Sequence, residues 1–181
     1  MPHPGRRPVL RSSIAAWLLG CASLAWAQVQ SDWERANEER LKQSQEQVVA
    51  PPPLERASLI ELELEAASEF RYFVDAASIS VGADRIVRYA MVARSPSGAE
   101  NVSFEGLRCP GDYRIYAVGS ADGRWGGRPG EWRRVPRDGR IGQNALSKRY
   151  FCPARAAIRT REEGVGALRQ GGHPAMLSEQ H

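Results

Sequence analysis

Histidine is scarce in this chain. Of its 181 residues three are histidine, at His3, His173 and His181, and none falls between Gln28 and Ala154. A central region without imidazole excludes a serine or cysteine nucleophile served by a histidine base, and any histidine-ligated zinc or copper centre, from that region. Cysteine is equally sparse, with Cys21, Cys109 and Cys152. No two of them have the C-x-x-C spacing of a redox-active pair, which holds one thiol at a depressed pKa. Lysine is nearly absent, with only Lys42 and Lys148, so the positive charge is almost all guanidinium. A glycine-rich phosphate loop and the Asp/Glu spacing of a calcium loop are missing too. The longest mostly apolar run, Ile14 to Ala27, covers 14 residues, short of the roughly 20 that a membrane-spanning helix needs.

What is present begins with that run. Arg6, Arg7 and Arg11 precede it with no acid before Asp32, and it ends in Ala25-Trp26-Ala27 ahead of Gln28. Positive charge, an apolar stretch and a small-residue site in that order read as a secretory signal peptide over residues 1–27, cleaved near Ala27 and delivering the chain to the periplasm. The alternative is a lipoprotein: Leu18-Leu19-Gly20-Cys21 resembles a lipobox whose Cys21 is acylated and anchored in the outer membrane. In either form Cys109 and Cys152 remain in an oxidising compartment and are expected to form one structural disulfide. With 43 positions between them, closing that loop contributes about 4 kcal/mol in the chain-entropy picture.

The formal charge of +4 and the pI near 9.2 suggest an anionic partner, but three of the 25 basic residues lie in the leader. From Gln28 onward 22 bases face 21 acids, and a nucleic-acid partner is excluded on that ground. The distribution is uneven. Residues 28–69 hold ten acids against four bases, and residues 124–149 hold eight bases against two acids. Arg124, Arg128, Arg133, Arg134, Arg137 and Arg140 are either a solvated face or a surface for phosphate and carboxylate groups, which guanidinium binds in bidentate fashion. A third option is attraction between the acidic and basic regions.

Along the chain, Ser31 and Glu34 have capping-box spacing, predicting a helix over residues 31–49 that Pro51-Pro52-Pro53 stops. Residues 28–53 are thus a helical, Pro-rich segment. Residues 54–153 read as one antiparallel β-rich domain. Ile60, Leu62 and Leu64 alternate with glutamates, Phe70, Tyr72 and Val74 alternate next, and Arg85 to Arg94 sets Val87, Tyr89, Met91 and Ala93 on one side. Turn residues at Gly82-Ala83-Asp84, Ser95-Pro96-Ser97-Gly98 and Asp122-Gly123 separate strands that include Val102–Cys109 and Tyr113–Gly119. A short helix is expected over Asn144–Tyr150. Residues 154–181, with Gly171-Gly172 and little apolar content, are expected to be a weakly ordered tail with a helical turn or two near Ala154–Glu163. The predicted core is Tyr72, Phe73, Val87, Tyr89, Met91, Val102, Phe104, Ile115, Val118, Trp125 and Trp132. The fold class is α+β, mainly β: a small antiparallel sheet with short flanking helices and one disulfide.

Catalysis by carboxylates is left open by inventory, since a glycosidase needs only two. Asp75, Glu100, Glu105, Asp112 and Glu131 are the candidates. Glu105, between Phe104 and Gly106, is expected to be buried and paired with Arg108 or Arg88.

Phe73-Val74-Asp75 with Ser78, Val87-Arg88-Tyr89, Ser95 with Gly98-Ala99, Asn101-Val102-Ser103-Phe104-Glu105-Gly106 and Arg108-Cys109 are similar to the cryptic neisserial protein-like family. Trp125, Trp132 and Tyr150-Phe151-Cys152 continue the match, which spans Trp33 to Pro153. The resemblance implies a small exported protein of Gram-negative bacteria, with no assigned activity and no catalytic residue to carry over.

These readings converge on a non-catalytic, cofactor-free periplasmic domain that binds an envelope component, whether protein, glycan or lipid phosphate. The candidate binding surface is Tyr89, Asn101, Glu105, Arg108, Trp125 and Trp132, where aromatic rings beside arginine suit such ligands. The alternatives are the lipid-anchored protein held through Cys21 and a hydrolase of envelope glycan in which Glu105 or Asp75 opens onto a cleft.

Overall fold

A computed structural model of the chain describes residues 49–120 and 122–178. The leader with Cys21, the helix expected from Ser31 (save its last residue, Val49) and His181 lie outside them.

Strands β1 (Leu59–Glu61), β2 (Arg71–Val81), β3 (Ile86–Arg94), β4 (Glu100–Arg108), β5 (Asp112–Gly119) and β6 (Trp125–Gly126) lie side by side in sequence order, every pair antiparallel. Strand β7 (Arg133–Arg134) pairs with the start of β5, giving a seven-stranded meander. The expected fold class is the one found. Short connections enforce this order. At the β3–β4 turn the Gly98 N–H donates to the Ser95 carbonyl and the Ser95 N–H to the Ala99 carbonyl, with Gly98 at φ +85°, where a side chain is strained.

The centre of the sheet differs from a strand with one wet face. Residues Ile86 to Val92 of β3 are all buried, because both faces of the sheet are covered. On one face Val87, Tyr89, Met91 and Leu107 pack under the C-terminal helical segments. On the other, Ala90, Phe104 and Ala117 form a second cluster under Leu54, Tyr116 and Trp125.

The first face is closed by α1 (Gly142–Ala145), which widens into a π-helical turn at Leu146–Tyr150. This is the helix expected over Asn144–Tyr150. Cys109 after β4 and Cys152 after this helix form the disulfide, with Cα atoms 5.5 Å apart. It fastens the helical layer to the sheet.

Residues 154–178 are not the weakly ordered tail read from composition. Helix α2 (Arg161–Arg169) is capped by the Thr160 hydroxyl, which accepts from the Glu163 N–H, and buries Ala167 and Leu168 beside Ile158. Its end is a Schellman-type closure: Gly172 N–H donates to the Ala167 carbonyl, with Gly171 at φ +71°. The paired glycines that suggested disorder are a helix stop. Gly164 lets Ile158 approach, since a Cβ there would lie 2.6 Å from the Ile158 Cδ1. Helix α3 (Pro174–Leu177) follows.

Two further expectations change. The alternation from Ile60 to Leu64 yields only the three-residue β1, after which Leu62 turns into the core. Val118, expected inside, is 51% exposed. The β4–β5 register slips between Phe104/Ala117 and Glu105/Ile115, so Tyr116 is an extra residue that reverses the alternation beyond it.

Candidate functional site

The six candidate surface residues do not form one surface. Tyr89 and Glu105 are cross-strand partners, both essentially inaccessible. The Tyr89 hydroxyl donates to Glu105 Oε2 at 3.1 Å, Ser103 Oγ donates to Oε1 at 2.6 Å, and Gln143 Nε2 reaches both oxygens at 3.0 Å. Burial pushes the Glu105 carboxyl up from the usual range, while the three donors pull it back. Burial and the neighbouring Glu105 also hold the Tyr89 phenol well above its ordinary value. Glu105 is therefore buried as expected, with hydroxyl and amide partners in place of Arg108 or Arg88. It clamps α1 to the sheet through Gln143.

Arg88 instead meets Asp84. Its Nη1 and Nη2 reach the two carboxylate oxygens at 3.1 and 2.6 Å, and both side chains are 1% exposed. Asp75 is fully buried in the β2 bulge. It accepts from the Glu55 N–H at 2.9 Å, the Ala77 N–H at 2.8 Å and the Ser58 hydroxyl, fixing the turn that leads into β1. Neither Glu105 nor Asp75 lines any of the described cavities. The requirement of the hydrolase reading, that one of them open onto a cleft, is not met there.

Asn101 is exposed on β4. Among the described residues no group of three or more His, Cys, Asp and Glu side chains could hold a metal, and no helix is long and apolar enough to cross a membrane.

The remaining three candidates, Arg108, Trp125 and Trp132, belong to a row of rings on the second face. Phe104 touches Trp125 at 6.1 Å and Tyr116 at 6.0 Å between centroids, and Tyr116 meets Trp132 edge-on at 6.5 Å. Guanidinium groups stack along the row: Arg108 lies 4.1 Å above Trp132, and Arg88 and Arg114 lie 5.6 Å from Tyr116. Trp125 and Trp132 are half-buried, each with one side against this layer. Three of the six arginines of the 124–140 stretch have an acid close by: Arg124 with Asp122, Arg134 with Asp112 and Arg140 with Asp138, all with exposed guanidinium groups. Such pairs contribute little.

Across this face runs a strap, Pro51 to Leu54. Consecutive prolines fix φ and keep each preceding residue out of the α region, so the strap is extended. Leu54 packs on the Phe104 cluster, and the Trp125 indole N–H donates to the Pro52 carbonyl at 2.7 Å. At the Pro51 end of the strap is an open cavity of about 570 Å³ lined by Pro51, Arg114, Tyr116, Trp125 and Pro129. At its Leu54 end is a cavity of about 340 Å³ lined by Pro53, Leu54, Val102 and Trp125. Trp125 is a wall of both. Tyr116, Arg114 and Pro52 are the members of this site that sequence reading missed. Pro51-Pro52-Pro53 reads in sequence as a helix stop that starts an extended segment, with no mark of the face it crosses, and Tyr116 owes its direction to the β5 irregularity.

No curated protein and no solved structure matches the chain. The model of the CNP1-like family matches residues 25–169, which reaches past the Pro153 limit of the sequence resemblance and takes in α2. With four-fifths of its length inside that match, the chain belongs to the CNP1-like family.

Proposed function

We propose that this chain is an exported envelope protein whose β domain acts by binding, and that its ligand site is the aromatic groove beside Trp125. One observation carries the reading: Trp125 forms a wall of an open cavity of about 570 Å³ in which aliphatic, prolyl, aromatic and glycine surfaces meet a single guanidinium, that of Arg114. That volume falls in the range of ligand pockets, and a mostly apolar lining with one charged group is their usual chemistry. Arg108, 4.1 Å above Trp132, extends the face with a second cation.

Export is supported by the Arg6–Ala27 pattern and by the Cys109–Cys152 bridge, since disulfides persist in oxidising compartments. The periplasm is the proposed location, with the outer membrane as the location if Cys21 is acylated. The intact mass of the natively processed protein, with and without reductant, tests export: a chain beginning at Gln28 or at an acylated Cys21 fits, and a full-length cytosolic chain does not.

Binding is tested by calorimetric titration of the full chain with three probes: soluble peptidoglycan fragments, the lipid A bisphosphate headgroup and a proline-rich peptide. The expected result is saturable binding of one class that falls at least tenfold in Trp125→Ala. Binding that survives Trp125→Ala and Tyr116→Ala overturns the assignment of the groove, as does the absence of binding by all three to both the unaltered chain and Leu54→Ala.

A further inference from the structure

Resting on the groove reading above, we infer that its natural occupant is an extended, proline-bearing peptide segment of a partner protein, and that the chain's own Pro51–Leu54 strap holds the same trough as a placeholder in cis. The strap already shows how such a segment is read. An indole N–H donates to a prolyl carbonyl, Trp125 Nε1 to Pro52 O at 2.7 Å, and an apolar side chain follows two residues later, Leu54 against the cluster of Ala90, Phe104 and Ala117. Recognition of polyproline conformation by an aromatic-lined surface relies on these features, because the ligand is stiff before it binds and its carbonyls are unpaired.

The volume around the strap fits a shared trough. The cavities of about 570 and 340 Å³ flank the Pro52–Trp125 contact, the first walled by Pro51 and the second by Pro53 and Leu54, with Trp125 common to both. Behind it the anchor is separate: Asp75 holds Glu55 and Ser58 from within the β2 bulge, so the strap can leave while the turn Arg56–Ser58 stays in place. A tethered segment competes at an effective concentration of millimolar order, and a free peptide therefore binds weakly until the strap is loosened.

The test uses a synthetic peptide with the sequence of Val49 to Glu55, blocked at both ends, titrated against the full chain. Replacing Pro51, Pro52 and Pro53 together by glycine keeps the strap's length and carbonyls but removes its stiffness. The expected result is peptide binding at least tenfold tighter than to the unaltered chain, lost again when Trp125→Phe is added. Leu54→Ala loosens the strap by another route and is expected to act in the same direction, which guards against a triple variant that fails to fold. Equal affinity for the unaltered and loosened chains, or binding indifferent to Trp125→Phe, overturns the inference. Trp125-dependent binding of peptidoglycan fragments or lipid A headgroup, with no peptide binding to any variant, overturns the inference while the groove reading stands. Failure of every probe overturns both.

Discussion

The ring of Tyr116 lies directly on the backbone of Gly106: a Cβ at position 106 would sit 2.6 Å from Tyr116 Cε2 and 2.8 Å from its hydroxyl oxygen. Glycine on a central strand weakens it locally, and here the missing side chain is what admits an aromatic ring that also contacts Phe104 and Trp132. Gly106→Ala displaces that ring. The expected cost is about 1–3 kcal/mol, read from the denaturant midpoint, together with weaker ligand binding in the groove. An alanine variant with unchanged stability and binding shows that Tyr116 does not need this seat.

Arg88 and Asp84 form an ion pair that is 1% exposed on both sides. Removing one partner from a buried pair leaves the other uncompensated, so Arg88→Met or Asp84→Asn is expected to cost about 3–5 kcal/mol. Replacing both by apolar residues is expected to recover much of that loss. A double-mutant cycle in urea checks it, and additive losses contradict the coupling.

Glu105 gives a pH dependence with a defined sign. Its folded-state pKa is raised by burial, so below the unfolded value both states are protonated and no penalty operates. As pH rises through the folded pKa, ionising the buried carboxyl lowers stability. The carboxylates held low, such as Glu61 by Arg71 and Glu100 by Arg56 and Arg94, act oppositely and lose their contribution as pH falls. The difference in Tm between Glu105→Gln and the unaltered protein isolates the first effect. It is expected to move in favour of the glutamine variant from pH 4 to pH 7, and a difference independent of pH contradicts the assignment.

The Cys109–Cys152 bridge spans 43 positions. Its removal in the Cys109→Ser, Cys152→Ser double variant is expected to cost about 4 kcal/mol, and to expose the helical layer before the sheet in native-state hydrogen exchange. Simultaneous exchange of both layers at unchanged stability contradicts a fastening role.

The strands and turns were legible because they rest on local signals. The period-two run in β3, the Ser95–Gly98 turn and the Cys109–Cys152 pair each follow from residue types at short range or from inventory. The partners of Glu105 were not legible, since Gln143 is 38 positions away and nothing local selects it over Arg88 or Arg108. The second covered face was hidden for the same reason. Pro52 reaches Trp125 across 73 positions, so Ala90 loses its wet side to a segment with no secondary structure. Helix α2 was missed because its apolar stripe is thin, and because Gly164 and Gly171 serve packing and termination while looking like disorder in composition. The site was half legible: Arg108, Trp125 and Trp132 share the second face, Tyr89 and Glu105 lie inside the first, and the residues that shape the groove, Tyr116 and Pro52, carry no sequence mark of that role.

The account stands most directly on Trp125, and its indole N–H is observable by itself in a nitrogen–proton correlation spectrum of the labelled full chain, assigned by its loss in Trp125→Phe. Addition of the ligand class that binds by calorimetry is predicted to shift that resonance in a saturable way, with the affinity found calorimetrically. A bound ligand that leaves the Trp125 indole resonance unmoved while shifting residues elsewhere contradicts the account.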